Sequence, residues 1–214
     1  GKVGASIADA QISFAKQRNI TILWILETHA HADHLSAATY LKQKTGAKTA
    51  IGQGILTVQQ HFSHLFENSQ FAEESGFDHL VVEGENILFG EDTITVLTTP
   101  GHTDDSVSYL VNDNIFVGDT LFMPDSGTAR CDFPGGDANK LWASIARIHS
   151  LPDDTRIWVC HDYQPGGRSL KMQTTVNESR QQNIHSSSPL PLKRPQFVHY
   201  WLQNMLHLCN IQNQ

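Results

Sequence analysis

An α/β fold, with helices laid over β-sheets, is what this sequence predicts, and two observations carry the expectation. Short β-branched runs are interleaved with longer segments whose apolar residues recur at helical spacing. The chain also has 214 residues, enough for one sizeable core without disulfide or metal staples.

The elements follow in order. Residues 5–18, ASIADAQISFAKQR, read as a helix, and ITILWILET (20–28) suits a buried strand. A helix is expected in DHLSAATYLKQKTG (33–46), with Asp33 able to cap its start and Gly46 its end. KTAIG (48–52) reads as a short strand and GILTVQQHFSHLF (54–66) as a helix. Strands are expected around HLVVE (79–83), TITVLTT (93–99), VSYLV (107–111) and NIFVG (114–118), the last two joined by the hairpin turn NDN. DANKLWASIARIHSL (137–151) reads as a helix, TRIWVC (155–160) as a strand and SLKMQTTVNESRQQN (169–183) as another helix. From Ser186 the Pro/Ser-rich SSSPLPLKRPQ reads as a connector to an amphipathic terminal helix, 197–214. The expected organisation is therefore one domain over 1–185 and a C-terminal segment over 186–214.

Charge and composition exclude several classes. Formal net charge is −7, with 15 basic residues and no basic block, which argues against a nucleic-acid partner. No apolar run approaches the ~20 residues that span a bilayer. The opening GKVGASIADAQ has no signal-peptide core, so a cytoplasmic enzyme without membrane partners is the expectation. Cys131, Cys160 and Cys209 lie far apart with no CxxC pair and read as reduced thiols.

The chemistry concentrates in four places. ETHAHADHLSA (27–37) sets His29, His31, Asp33 and His34 within six residues, more imidazoles than a core can satisfy cheaply. TPGHT carries His102, GDTLF carries Asp119 and CHDY carries His161, each just past an apolar run. Loops at the end of a sheet are where side chains from distant sequence converge on a rigid support. His29 and His31, two apart in extended chain, can point the same way. Alone, His102 or His161 reads as a structural histidine, GDT as a turn and HAHADH as a solvated loop. Together they form a set of five imidazoles and two carboxylates, suited to Zn, Fe or Mn and poor for Ca or Mg. His61, His64, His79, His149 and His185 lack such context and read as structural, and His199 and His207 as surface or core residues.

His-X-His-X-Asp-His, then the TPGHT histidine, the GDT aspartate and a late histidine, resembles the metallo-β-lactamase superfamily from about Ile20 to His185. The resemblance implies an αββα sandwich with a metal site at one edge. In dinuclear members it implies one metal on His29, His31 and His102, a second on Asp33, His34 and His161, and Asp119 bridging. The superfamily opens with strands and this chain with a helix, so the expectation is that the N-terminal strands are missing from this chain or that the first sheet is incomplete.

Within the superfamily, HADHLSAA, GDTLF, ARCDFPGGD and CHDYQPGGR are similar to the persulfide dioxygenase (sulfur dioxygenase) branch, with the beta-lactamase-hydrolase-like proteins. That likeness implies one Fe(II) per chain on His29, His102 and Asp119, a facial set leaving positions open for O2 and a persulfide. His31, Asp33, His34 and His161 would surround it, Asp33 counting with the three ligands in the catalytic set. The implied substrate is glutathione persulfide, converted with O2 to sulfite and glutathione, and a homodimer is one option for the assembly. Arg130 would pair with a substrate carboxylate, or else anchor its loop through Asp132; Tyr163 would hydrogen-bond the tripeptide, or else pack at the rim. TLFMPDSGTA (120–129) is longer than the GCGR loop of many dioxygenases, which displaces Arg130. The alternative is a metallo-hydrolase of glyoxalase II or β-lactamase type, with one or two Zn, cleaving a thioester or lactam. Glyoxalase II carries its late histidine in a GHEYT-like context, where CHDY stands here.

Overall fold

The computed structural model describes residues 4–31, 33–65, 76–186 and 196–199, without the side chains of 64 and 65. The expected terminal helix beyond 199, with His207 and Cys209, and most of the connector lie outside the described residues. Helix α1 (Ser6–Gln17) leads to β1 (Trp24–Leu26), α2 (Ala38–Thr45), β2 (Lys48–Gly52), α3 (Ile55–Leu65) and β3 (His79–Val81). Strands β4 (Asn86–Phe89), β5 (Asp92–Thr98), β6 (Val107–Val111) and β7 (Asn114–Phe116) follow, then α4 (Ala138–His149), β8 (Arg156–Trp158), β9 (Gln173–Thr175) and α5 (Val176–Gln182).

Two sheets result. β1, β2 and β3 form a parallel three-stranded sheet, and β4 to β9 run in sequence order through a six-stranded one. In the larger sheet only β7 and β8 pair in parallel. Ala50 and Val81 of the first sheet pack with Ile87, Ile94, Val96, Val107 and Tyr109 of the second, so one core lies between the sheets. A second lies outside the larger sheet, where Leu141, Ile145 and Ile148 of α4 cover Ile115, Ile157 and Val176. Helix α2 packs on β1 and β2 of the first sheet and α1 packs on α2, completing an αββα sandwich.

The short first sheet matches expectation. Among the described residues β1 pairs with β2 alone, so only three residues of the 20–28 run are in the ladder. Ile20 and Leu23, which precede the ladder, are exposed.

Three elements differ from the sequence reading. Helix α2 starts at Ala38 and its cap shows no side-chain hydrogen bond, so Asp33 is not the cap; Ser36 Oγ instead accepts from Ala38 N–H at 2.9 Å. Gly46, at φ 73°, ends the helix as expected. Strand β4 was not foreseen, because four residues hold too few apolar positions to show a period of two. The helix expected from 169 begins only at Val176: Gln173–Thr175 pair with β8, and Thr175 caps α5 by accepting from Glu178 N–H at 3.1 Å. That Thr-x-x-Glu start signal stood in the sequence. The hairpin turn is confirmed, with Val111 opposite Asn114 and Asn112 at φ 52°. Among the described residues no helix is long and apolar enough to cross a membrane.

His149, on α4, joins α5 through a 3.0 Å contact from Nε2 to Ser179 Oγ. Burial, with Arg180 nearby, lowers its pKa from 6.5 to about 4. The unfolded chain therefore binds this proton first as pH falls, and stability drops between those two values. Melting temperature is expected to fall from pH 7 to pH 5, above the range where the carboxylates titrate, and to fall less in His149→Gln. An identical slope in both proteins would show that His149 is not the group responsible.

Candidate metal centre

The loops after β1, β5, β7 and β8 leave the same edge of the sandwich, and their imidazoles and carboxylates meet there. Asp119 is the hub. Its Oδ2 lies 3.7 Å from His29 Nε2 and 3.6 Å from His102 Nε2, and its Oδ1 lies 3.6 Å from His161 Nε2. His161 Nε2 is also 3.5 Å from Asp33 Oδ2. The rings of His29 and His31 are 4.4 Å apart, and those of His31 and His34 4.2 Å. All seven residues singled out in the sequence are therefore brought together.

Each inner imidazole is oriented through its other nitrogen. His102 Nδ1 donates to the Arg130 carbonyl at 2.7 Å, which aims Nε2 at Asp119. His29 Nδ1 lies 3.0 Å from Thr28 Oγ1, with the same result. The backbone between His29 and His31 is held by Asp105, whose buried Oδ2 accepts from Ala30 N–H at 2.7 Å. Gly118 makes the closest approach possible: at φ 54°, a Cβ there would fall 2.7 Å from Thr28 Oγ1.

Two ligand groups of different character emerge. His29, His102 and Asp119 are all buried, and one atom from each lies within 4.8 Å of the others. His31, Asp33 and His34 meet the same distance limit, but Asp33 and His34 are exposed. Burial and the surrounding imidazoles lower the His29 pKa to about 3, keeping it neutral and able to donate a lone pair. Burial raises the Asp119 pKa, although His161 and His102 oppose the shift. Asp119 Oδ1, His161 Nε2 and His31 Nδ1 are buried and have no hydrogen-bond partner among the described residues. A neutral His29, a buried carboxylate and buried polar atoms left without partners fit a cation of the Zn, Fe or Mn kind.

The metallo-beta-lactamase superfamily model matches residues 4–161. The chain belongs to that superfamily. Among curated relatives, a beta-lactamase hydrolase-like protein of Agrobacterium fabrum is 52% identical over 186 residues, covering 86% of this chain and 43% of its own. Glyoxylase B2 of Dictyostelium discoideum is 46% identical over 189 residues, covering 86% of this chain and 65% of its own. The chain thus spans less than half the length of the first relative and under two thirds of the second. The crystal structure of ETHE1 from Myxococcus xanthus superposes with a TM-score of 0.72 at 29% identity, covering 91% of this chain and 75% of that one. Superfamily members are metal-dependent enzymes, in keeping with the donor set.

Around the superfamily's metal-binding edge lies a cavity of about 740 Å³, lined by the cluster, α3, and residues 129–134. Arg130 and Tyr163 both reach its wall. The guanidinium of Arg130 is engaged through Nε and Nη2 by both carboxylate oxygens of Asp132. Tyr163 is exposed, its ring edge-on to Phe122 at 5.2 Å. Of the histidines read as structural, His79 pairs with Glu85, His149 with Ser179 and His185 with Thr128, all apart from the cluster. Cys131 is buried and Cys160 is a free thiol.

Sequence reading missed Glu27 and Asp105. Glu27 Oε2 lies 3.2 Å from His31 Nε2, a contact that raises the His31 pKa. Burial works against the Glu27 charge, but hydrogen bonds from His31 and Ser36 outweigh it and lower its pKa. The signal for Glu27 was its place four residues before His31; for Asp105 no local signal existed.

Gly118→Ala tests the support of His29. A Cβ there displaces Thr28, and losing the partner that orients a metal-binding imidazole typically lowers affinity roughly 10–100-fold. Metal titration of the folded variant is expected to show that loss; wild-type affinity would mean that Thr28 does not orient His29.

Proposed function

We propose that this protein is an iron-dependent dioxygenase acting on the persulfide of a low-molecular-weight thiol, glutathione persulfide among them. The observation that carries the reading is the buried trio His29, His102 and Asp119, two imidazoles and one carboxylate, set apart from the exposed Asp33 and His34. The branch-specific motifs and the likeness to the ETHE1 structure support it. The balanced reaction is R–S–SH + O2 + H2O → R–SH + SO3²⁻ + 2 H⁺. The S–S bond breaks, the outer sulfur is oxidised to sulfite while the inner one is reduced to the thiol, and O2 accepts the net four electrons. Iron(II) held by the trio supplies the electron-transfer chemistry that no side chain offers. His29 and His102 would present Nε2, and Asp119 one carboxylate oxygen, as its ligands. Asp33 Oδ2, exposed and 3.5 Å from His161 Nε2, takes up a proton released beside the cluster. His31, tied to Glu27, and His161 line the site and position the water consumed. Tyr163 and Arg130 frame the rim where the thiol carrier leaves. Free thiols at Cys131 and Cys160 fit a reducing, cytoplasmic setting.

A second reading has its own observation: His31, Asp33 and His34 form another potential ligand group, and a relative is named glyoxylase. Two zinc ions shared over the whole cluster would supply Lewis acidity toward a thioester or lactam carbonyl.

Metal analysis separates the two. Protein produced without added zinc is expected to hold about one iron per chain, as one facial set binds one ion, and to take up oxygen with a persulfide. Two zincs per chain and thioester cleavage without oxygen uptake would overturn the proposal. His29→Ala is expected to lose the metal and His34→Ala to keep most of it; equal losses would contradict a single site.

A further inference from the structure

Helix α4 covers the larger sheet, and its first two turns also lie against the turn that carries His102. Asp137, which caps the helix, donates its N–H to the Gly101 carbonyl at 2.9 Å, and Ser144 Oγ donates to the Pro100 carbonyl at 2.8 Å. These donors are two helical turns apart and so share one side of α4. Gly101 fits between them: at φ 137°, a Cβ there would fall 2.2 Å from the Leu141 backbone nitrogen. To either side, Lys140 Nζ holds Asp104 Oδ1 at 2.9 Å and Arg147 Nη1 reaches the Thr98 carbonyl at 3.4 Å. The stretch from Thr98 to Asp104, with His102 inside it, is splinted along one helix.

That splint has little redundancy just before His102. Proline has no N–H, and the Gly101 N–H is used inside the turn, by the Thr103 carbonyl at 3.2 Å. Among the described residues, Pro100 and Gly101 therefore bond to other elements through their carbonyls alone, and only to α4. Ser144 supplies the side-chain donor of the pair. It is buried, on the same helix as the core residues Leu141, Ile145 and Ile148, where a hydroxyl is costly unless it is bonded. A serine inside a helix commonly bonds back to its own preceding turn; this one bonds outward. The Arg130 carbonyl orients the His102 ring through Nδ1, whereas α4 sets where the His102 backbone stands.

We infer that Ser144 is a positioning residue of the metal centre: its bond to Pro100 fixes the pitch of the Pro-Gly turn and, through it, the place of His102 Nε2. The inference goes beyond the choice of reaction, because His102 is a ligand in the one-metal and the two-metal reading alike. Without the hydroxyl the Pro100 carbonyl loses its donor and the turn can shift, and a metal-binding group tolerates only about half an ångström of displacement.

Titration with cobalt(II) tests it, since the visible absorption of that ion reports the number and geometry of its ligands. Ser144→Ala is expected to bind cobalt about tenfold more weakly, at the low end of the roughly 10–100-fold loss that follows removal of a ligand's support, and to give an altered spectrum. Ser144→Thr keeps the hydroxyl and is expected to restore both. Ala143→Gly, at an exposed position of the same helix, weakens α4 through propensity alone. It is expected to lower the melting temperature while leaving cobalt affinity and spectrum unchanged. Wild-type affinity and spectrum in folded Ser144→Ala overturn the inference, as does a Ser144→Thr no better than Ser144→Ala. An equal loss of cobalt in Ala143→Gly overturns it too, because helix stability would then account for the effect. If Ser144→Ala does not fold, Ser144→Cys, whose thiol is a weak donor, takes its place with the same expected and overturning results.

Discussion

A buried carboxylate facing three imidazoles is the constraint around which this edge of the molecule is arranged. Asp119 lies within 3.7 Å of His29, His102 and His161 and is almost withdrawn from water. Left to itself, such a group is costly: burial pushes Asp119 toward its neutral form and His29 toward its neutral base. A divalent cation at the focus reverses that balance, because it favours the ionised carboxylate and uses the imidazole lone pairs. Metal binding and the ordering of this edge are therefore coupled in free energy.

The ligands come from distant parts of the chain, so cross-links between loops fix their geometry. Asp105 Oδ2 ties the His102 loop to the Ala30 backbone, and the Arg130 carbonyl ties the 129–134 segment back to His102. Farther out, Arg168 pairs with both Asp125 and Asp162, joining the loop after Asp119 to the loop that carries His161. The loop after Asp119 is also held by Asn183, whose Nδ2 donates to the Gly127 carbonyl, and by His185, whose Nδ1 accepts from Thr128 N–H. Two sheets with a shared core supply rigidity, and these polar links carry it to the metal-binding groups.

The cluster itself was legible in the sequence because its members occupy short motifs rich in imidazole and carboxylate. All seven meet, although several strands end one or two residues before the motifs suggested. Less legible was what surrounds them. Asp105 acts across 75 residues on Ala30, a relation that no local pattern encodes. The αββα layering followed from the resemblance rather than from periodicity, and β4 and β9 are too short to display a period. Aspartate at a helix start is a common cap, yet in the structure Asp33 faces His161, and the helix waits until Ala38. Spacing in α3 shows which residues share a face and not whether that face meets a sheet or, as it does here, a cavity.

The centre of the account is one metal on His29, His102 and Asp119, and X-ray absorption at the iron edge of the loaded protein addresses it directly. The account predicts a first shell with two imidazoles and one carboxylate, completed by light exchangeable ligands, and no scattering from a second metal. A metal–metal distance of about 3.5–4 Å, as in two-metal sites, with more than two imidazoles per metal pair, would contradict it.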